Sequence, residues 1–195
     1  DSAPTERMKR LYHPLVEHRW GDPADVFVFV PKSEGGFADV PLVHVAVWPA
    51  DERCDVTTFA TLGMSESFQP GRDYRVELTL GARARWAVHD RHAVASFLAS
   101  VAGYPFHHSR AIDWWERLAN PGRIPLFPSC TQVLFAPMFG DDPFESFPEP
   151  DADVRILGVV PVTPQENHVL KEHGKRAFLD YWEENGVEIF EPGRF

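Results

Sequence analysis

Between Tyr74 and Leu80 the side chains alternate strictly. Tyr74, Val76, Leu78 and Leu80 are apolar, and Arg75, Glu77 and Thr79 between them are polar. A period of two is the mark of a β-strand with one buried face, so this part of the chain is committed to a sheet. The residues before it, from Asp55 through Thr57, Thr58, Phe59, Ala60 and Thr61, are also β-rich and end in Leu62-Gly63-Met64-Ser65-Glu66. Gly63 permits a sharp backbone turn without a Cβ clash, and Gln69-Pro70-Gly71-Arg72 is turn chemistry. The pattern predicts an antiparallel hairpin with a long connection. Two roles follow for Glu77. As a plain strand residue it is solvated, opposite Val76 and Leu78. Alternatively, with Thr57, Thr61 and Arg75 it forms a polar platform.

Strands recur along the chain. Val26–Val30 is continuously apolar and reads as a strand covered on both faces. Residues 32–36 read as a loop, Val43–Trp48 as a strand ended by Pro49, and Thr131–Ala136 and Val154–Val160 as two more strands. Helices separate them. Glu6–Val16 forms a first helix stopped near Pro14. Val94, Phe97, Leu98 and Val101 line one helical face, with Asp90 as N-cap and Gly103 as stop. Thr163-Pro164-Gln165-Glu166 makes a capping box with proline at the first helical position. It opens a last helix that buries Ala177, Phe178, Tyr181 and Trp182, breaks at Gly174 and closes at Asn185-Gly186. Residues 104–129 read as an irregular ordered segment, and 140–153 as an exposed acidic loop rich in proline. The expected architecture is α+β (α/β): one domain over 1–195, with a mixed, mostly antiparallel sheet packed by several helices.

The chain has 195 residues, 44% hydrophobic and 13% aromatic, enough for a substantial core. No apolar run is long enough to span a bilayer. The first residues lack the apolar stretch of a signal peptide, so a cytoplasmic location is expected. The net charge of −10 argues against a nucleic-acid surface and suits a basic protein partner. Cys54 and Cys130 are too few for a disulfide scaffold or a cysteine-built zinc site.

Sites for chemistry are sparse. His89 and His92 are three apart, and His107 and His108 are adjacent. With Asp90 or Asp113 they could be arranged around zinc, as a metal-dependent hydrolase would need, but the spacing is not that of HExxH. Ser65 lacks the second glycine of a nucleophile elbow. Cys130, which could be paired with His107 or His108, precedes an apolar strand and reads as a structural thiol. No phosphate-binding glycine pattern is present. The expectation is no metal, no cofactor and no catalytic set. Tyr104, Phe106, Trp114, Trp115 and Phe127 form an aromatic group read as core, with an interface as the alternative.

Two segments resemble the suppressor of fused family. One is Thr61, Gly63, Met64 and Ser65 followed by Glu77-Leu78. The other is the apolar strand Ile156–Val160 followed by Pro161, Thr163 and Glu166. The resemblance runs from about 20 to 182, and Asn167 departs from the family's usual residue. The chain looks too short for the extra C-terminal domain of the animal proteins, whose two-domain clamp on a peptide is therefore not carried over. The resemblance implies a protein-binding domain rather than an enzyme. A composition rich in Ala, Arg, Pro and Val fits a GC-rich bacterial source. For bacterial members the resemblance implies an immunity protein that neutralises a polymorphic toxin by occlusion, the partner being a basic toxin domain encoded nearby. A regulatory binding module unrelated to toxins is the other reading. Candidate partner-binding residues are Glu66, Arg75, Glu77, Asp141, Asp142 and Glu145.

Overall fold

A computed structural model describes residues 3–19, 21–31, 40–83, 88–137 and 146–193. Helix α1 (Glu6–Arg19) precedes strands β1 (Asp25–Phe29), β2 (Val43–Trp48), β3 (Thr57–Leu62) and β4 (Arg75–Ala82). Helix α2 (Val88–His108) leads to β5 (Arg117–Leu118), β6 (Gln132–Ala136), β7 (Ser146–Phe147), β8 (Val154–Val162) and α3 (Pro164–Glu184). Among the described residues these eight strands form one sheet in the order β1-β2-β3-β4-β8-β6-β5, with β7 also on β8. Every pairing is antiparallel except β4 with β8, which sets Glu77 beside Ile156. The expected α+β architecture is the observed one.

The alternation along the strands divides the core into layers. Val45, Val47, Phe59, Val76, Leu78, Val133, Phe135 and Leu157 face α2, which packs Val94, Ala95, Leu98 and Val101 onto them. The other face is split. Met8, Leu11 and Leu15 of α1 cover Ala46, Ala60, Leu62 and Ile156, while Phe178 and Trp182 of α3 cover Leu134, Val160 and Val162. The middle of the sheet is therefore buried on both sides, and β4 has no solvent face. Among the described residues no helix is long and apolar enough to cross a membrane.

Several expectations are corrected. Helix α1 runs through Pro14 to Arg19. Pro14 deprives the carbonyl of Arg10 of its helical partner, but Arg10 is exposed, where water can replace it. Helix α2 begins before Asp90 and continues past Gly103 and Pro105 to His108, so Tyr104, Phe106, His107 and His108 are helical. Strand β1 is an edge strand: Phe27 and Phe29 pack on the core, whereas Val26 and Val28 are 47% and 43% exposed. Of the 140–153 loop, Ser146–Phe147 pairs with β8, and 138–145 lie outside the described residues, as does the 32–36 loop. At the other end, Thr163 accepts from the Glu166 N–H and Glu166 accepts from the Thr163 N–H, so the capping box is formed. The helix kinks at Gly174, with φ 80° and ψ −179°.

The layering separates two kinds of apolar residue. Leu98→Ala, in the wholly buried α2 face, should cost about 2–5 kcal/mol. Val28→Thr, on the exposed edge, should stay within about 0.5 kcal/mol. Urea unfolding of the two variants beside the parent measures both.

Candidate functional site

The connection between β3 and β4 is a 3-10 turn over Met64–Glu66, entered through Gly63 at φ 116°. A Cβ on Gly63 would lie 2.2 Å from the carbonyl oxygen of Leu42 and 2.4 Å from Cε of Met8. Only glycine meets both the positive φ and this close approach.

Glu77 holds the turn from beneath. Its Oε1 accepts from the Gly63 N–H (2.8 Å), the Ser65 N–H (3.0 Å) and the Ser65 hydroxyl (2.7 Å). Its Oε2 accepts from the Thr61 hydroxyl at 2.6 Å. Thr61 Oγ1 in turn accepts the Leu78 N–H at 2.7 Å, which leaves its own proton for Glu77. The side chain is 2% exposed. The reading of Glu77 as a solvated strand residue is therefore corrected. It does point away from Val76 and Leu78, but α1 covers that face. The polar platform is likewise buried: Thr57, Thr61 and Arg75 are 1%, 0% and 6% exposed.

Arg75 holds the same turn from its outer side. Nη1 donates to the carbonyls of Ser65 and Glu66, both at 2.9 Å, and Nη2 donates to Asp151 Oδ2 at 2.7 Å. The guanidinium lies 3.7 Å from the centre of the Phe68 ring, and Phe68 is 43% exposed. From α1, Arg7 donates to the Ser65 carbonyl (3.1 Å) and to both oxygens of Asp151. Arg10 pairs with Glu149, and the Thr5 hydroxyl donates to Glu66. Arg75, then Arg7, hold the Asp151 carboxyl below its usual range, and Arg10 does the same for Glu149. Every carbonyl and N–H of the Gly63–Glu66 turn that these bonds reach is thus fixed by a charged or hydroxyl side chain.

Of the candidate partner-binding residues, Glu66 and Arg75 come together at this turn and Glu77 lies under it. Asp141, Asp142 and Glu145 lie outside the described residues. The family-motif residues divide into two groups: Thr61, Gly63, Met64, Ser65, Glu77 and Leu78 at the turn, and Pro161, Thr163 and Glu166 at the start of α3. Sequence reasoning missed Arg7, Phe68, Glu149 and Asp151. Three of these are linked to the turn by ion pairs between distant segments, which leave no periodic signal.

The candidates for chemistry are placed elsewhere. Cys130 is buried in the α2-side core. Ser65 Oγ is bonded to Glu77. His92 packs against Phe27 and Phe29, and His108 against Tyr104. Asp113 accepts from the Tyr74 hydroxyl (2.7 Å) and from Arg155 (3.1 Å). Burial, then the bond to Asp113, pushes the Tyr74 hydroxyl up to about 12. Among the described residues no group of three or more His, Cys, Asp or Glu is gathered as for a metal. In the aromatic group, Phe127 belongs to the core and Tyr104, Phe106 and Trp114 pack against it, while Trp115 packs on the α3 side.

Burial pushes the Glu77 carboxyl above its ordinary 4.5, against the downward pull of its hydroxyl and N–H donors. A carboxyl raised in the folded state stabilises the fold fully below its unfolded value and progressively less as pH rises through the folded value. Stability of the parent relative to Glu77→Gln should therefore fall as pH rises from 4.5. Urea titrations of both proteins across that range measure the difference. Glu77→Ala strands the Gly63 and Ser65 N–H groups and should cost about 2–4 kcal/mol. Gly63→Ala should cost a similar amount, about 2–4 kcal/mol, through the clash and the positive φ.

Residues 39–195 match the family model of the suppressor of fused protein (SUFU). No curated protein matches. A SUFU homolog from Neisseria gonorrhoeae FA 1090 is similar, with TM-score 0.67 and 15% identity over 95% of this chain and 94% of that one. So is a chain of the Sufu–Fu complex, with TM-score 0.67 and 15% identity over 99% of this chain and 92% of that one. Drosophila Suppressor of Fused gives 0.68 at 14% identity over 100% of this chain and 52% of that one. The present chain thus spans about half the length of the Drosophila protein. At these identities the structures show the shared fold, and the family match, covering β2 onward and the whole Gly63–Glu77 turn, shows that this chain belongs to the suppressor of fused family.

Proposed function

We propose that this chain is a protein-binding domain without chemistry of its own, and that it neutralises a basic toxin domain by occluding it. The observation that carries this reading is the use made of the motif's polar groups. Glu77, Thr61 and Ser65 are bonded to one another and to the chain's own backbone beneath the turn, so they are not presented to a substrate. Arg75 and Arg7 fix the outer side. The result is a braced turn followed by Phe68, half exposed and backed by the buried Arg75 guanidinium, with Glu66 and Asp151 around it. An exposed aromatic backed by an arginine, held without further loss of side-chain freedom, is the composition of an interface anchor. A solved relative is a Sufu–Fu complex, which supports binding of a protein partner.

The net charge of −10 supports a basic partner. In this reading Asp141, Asp142 and Glu145 add to the attracting field, Glu66 and Phe68 make the contact, and Arg75 and Glu77 act from below by holding the turn. Charge complementarity raises the association rate and makes it salt-sensitive.

Co-expression with the product of the adjacent upstream gene, followed by co-purification and growth rescue, tests the proposal. A complex with rescue is expected, with association slowing as salt rises. Phe68→Ala with Glu66→Lys should weaken the complex by roughly tenfold or more, as for an interface anchor. Asp141→Lys with Asp142→Lys should mainly slow association. A complex without rescue would favour the regulatory module over immunity, and no complex would sink the toxin reading for that pair.

A further inference from the structure

We propose that the cleft between the end of α2, β5 and the first turns of α3 binds a small ligand carrying two or more phosphate groups. This rests on a different face from the Gly63–Glu66 turn and is independent of the protein-binding reading. The cleft has a volume of about 830 Å³, within the roughly 300–1,000 Å³ of small-molecule sites.

Its lining has the wrong sign for this protein. The chain carries a net −10, yet Arg110, Arg117 and Lys171 all line this one cavity, with Glu116 as the single carboxylate among its described lining residues. Glu116 is already engaged: Oε2 accepts the Asp113 N–H at 3.1 Å and Oε1 lies 3.7 Å from Arg72. Arg117 donates to a neutral partner, Asn167 Oδ1, at 2.7 Å. Lys171 has Glu172 at 3.8 Å, with both side chains largely in solvent, where such a pair is weak and screened. Positive charge gathered on one concave wall focuses an attractive field on anions.

Phosphate fits this wall better than carboxylate. Two guanidinium forks and an ammonium match groups that carry close to two charges and three acceptor oxygens each. Asn120 and Gln132 also line the cavity and offer neutral donors and acceptors for hydroxyl groups or a ring edge. Trp115, with Lys175 Nζ 4.1 Å from its ring centre, and Tyr104 supply aromatic wall. That wall can take a base, so the phosphates could belong to a nucleotide or to an inorganic polyphosphate. The two sources share the same cationic recognition.

Calorimetric titration of the intact chain with ATP, with tripolyphosphate and with citrate tests the assignment. The expected result is binding of ATP or tripolyphosphate in the micromolar range, weakened as salt rises, with citrate at least about tenfold weaker. ATP tighter than tripolyphosphate would assign the aromatic wall to a base, and equal affinity would assign the site to the phosphates alone. Lys171→Glu, on an exposed helical position, should lower affinity about tenfold or more without moving the melting temperature. Arg110→Glu should do the same, and Lys9→Glu on α1 should leave binding unchanged. No binding of either phosphate ligand, citrate binding as well as they do, or binding indifferent to both cleft variants would each overturn the proposal.

Discussion

A carboxyl group without water around it is the constraint on which the rest of this structure depends. Glu77 is enclosed between a strand and a helix, and enclosure disfavours its charge. Four donors compensate: two main-chain N–H groups and two hydroxyls. These donors can converge only if the chain reverses at Gly63, descends through a tight turn and brings Ser65 back over β4. The buried acid thus defines the end of β3 and the shape of its connection to β4. Because both backbone donors are fixed in place, a smaller side chain at position 77 would leave them unmatched in a dry interior.

The outside of the same turn is organised by opposite means. There the groups are charged, partly wet and arranged as a relay from α1 through the turn to the start of β8: Arg7 and Arg75 share Asp151, and Arg10 takes Glu149. Each pair joins a largely buried side chain to a wetter partner. Their effect is positional, since they fasten an N-terminal helix that precedes the family-matched region onto the segment richest in family residues.

Much of this was legible in the sequence. The alternation at Tyr74–Leu80, the Thr163 capping box, the break at Gly174 and the sharp turn at Gly63 each rest on local chemistry, and each is found. What was not legible depended on coverage. A period of two says that the two faces of β4 differ; it does not say that α1 covers the polar one. Met8, Leu11 and Leu15 carry that information, but only a helix continuing through Pro14 brings all three onto the sheet. The same blindness ran the other way at β1, where an unbroken apolar run suggested burial and the strand proved to be an edge. Gly103 read as a stop because propensity is local, whereas α2 is held by its whole apolar face against the sheet and continues through Gly103 and Pro105. The candidate site was half visible: its acid, its glycine and Arg75 could be named, and Arg7 and Asp151, which complete the clamp, could not.

The kink in α3 bears on shape. A straight cylinder touches a twisted sheet along only part of its length, since the sheet rotates away beneath it. At Gly174 the helix axis changes direction, and a side chain there would meet open space rather than a neighbour, so crowding does not account for the glycine. The left-handed backbone does. The arm before the bend is aimed by the Thr163–Glu166 box, and the arm after it is seated by Phe178 and Trp182 in the hollow of β6 and β8. The two arms therefore meet the sheet at different angles and still share one seat, since Val169 and Leu170 of the first pack against the cluster that Phe178 and Trp182 of the second enter.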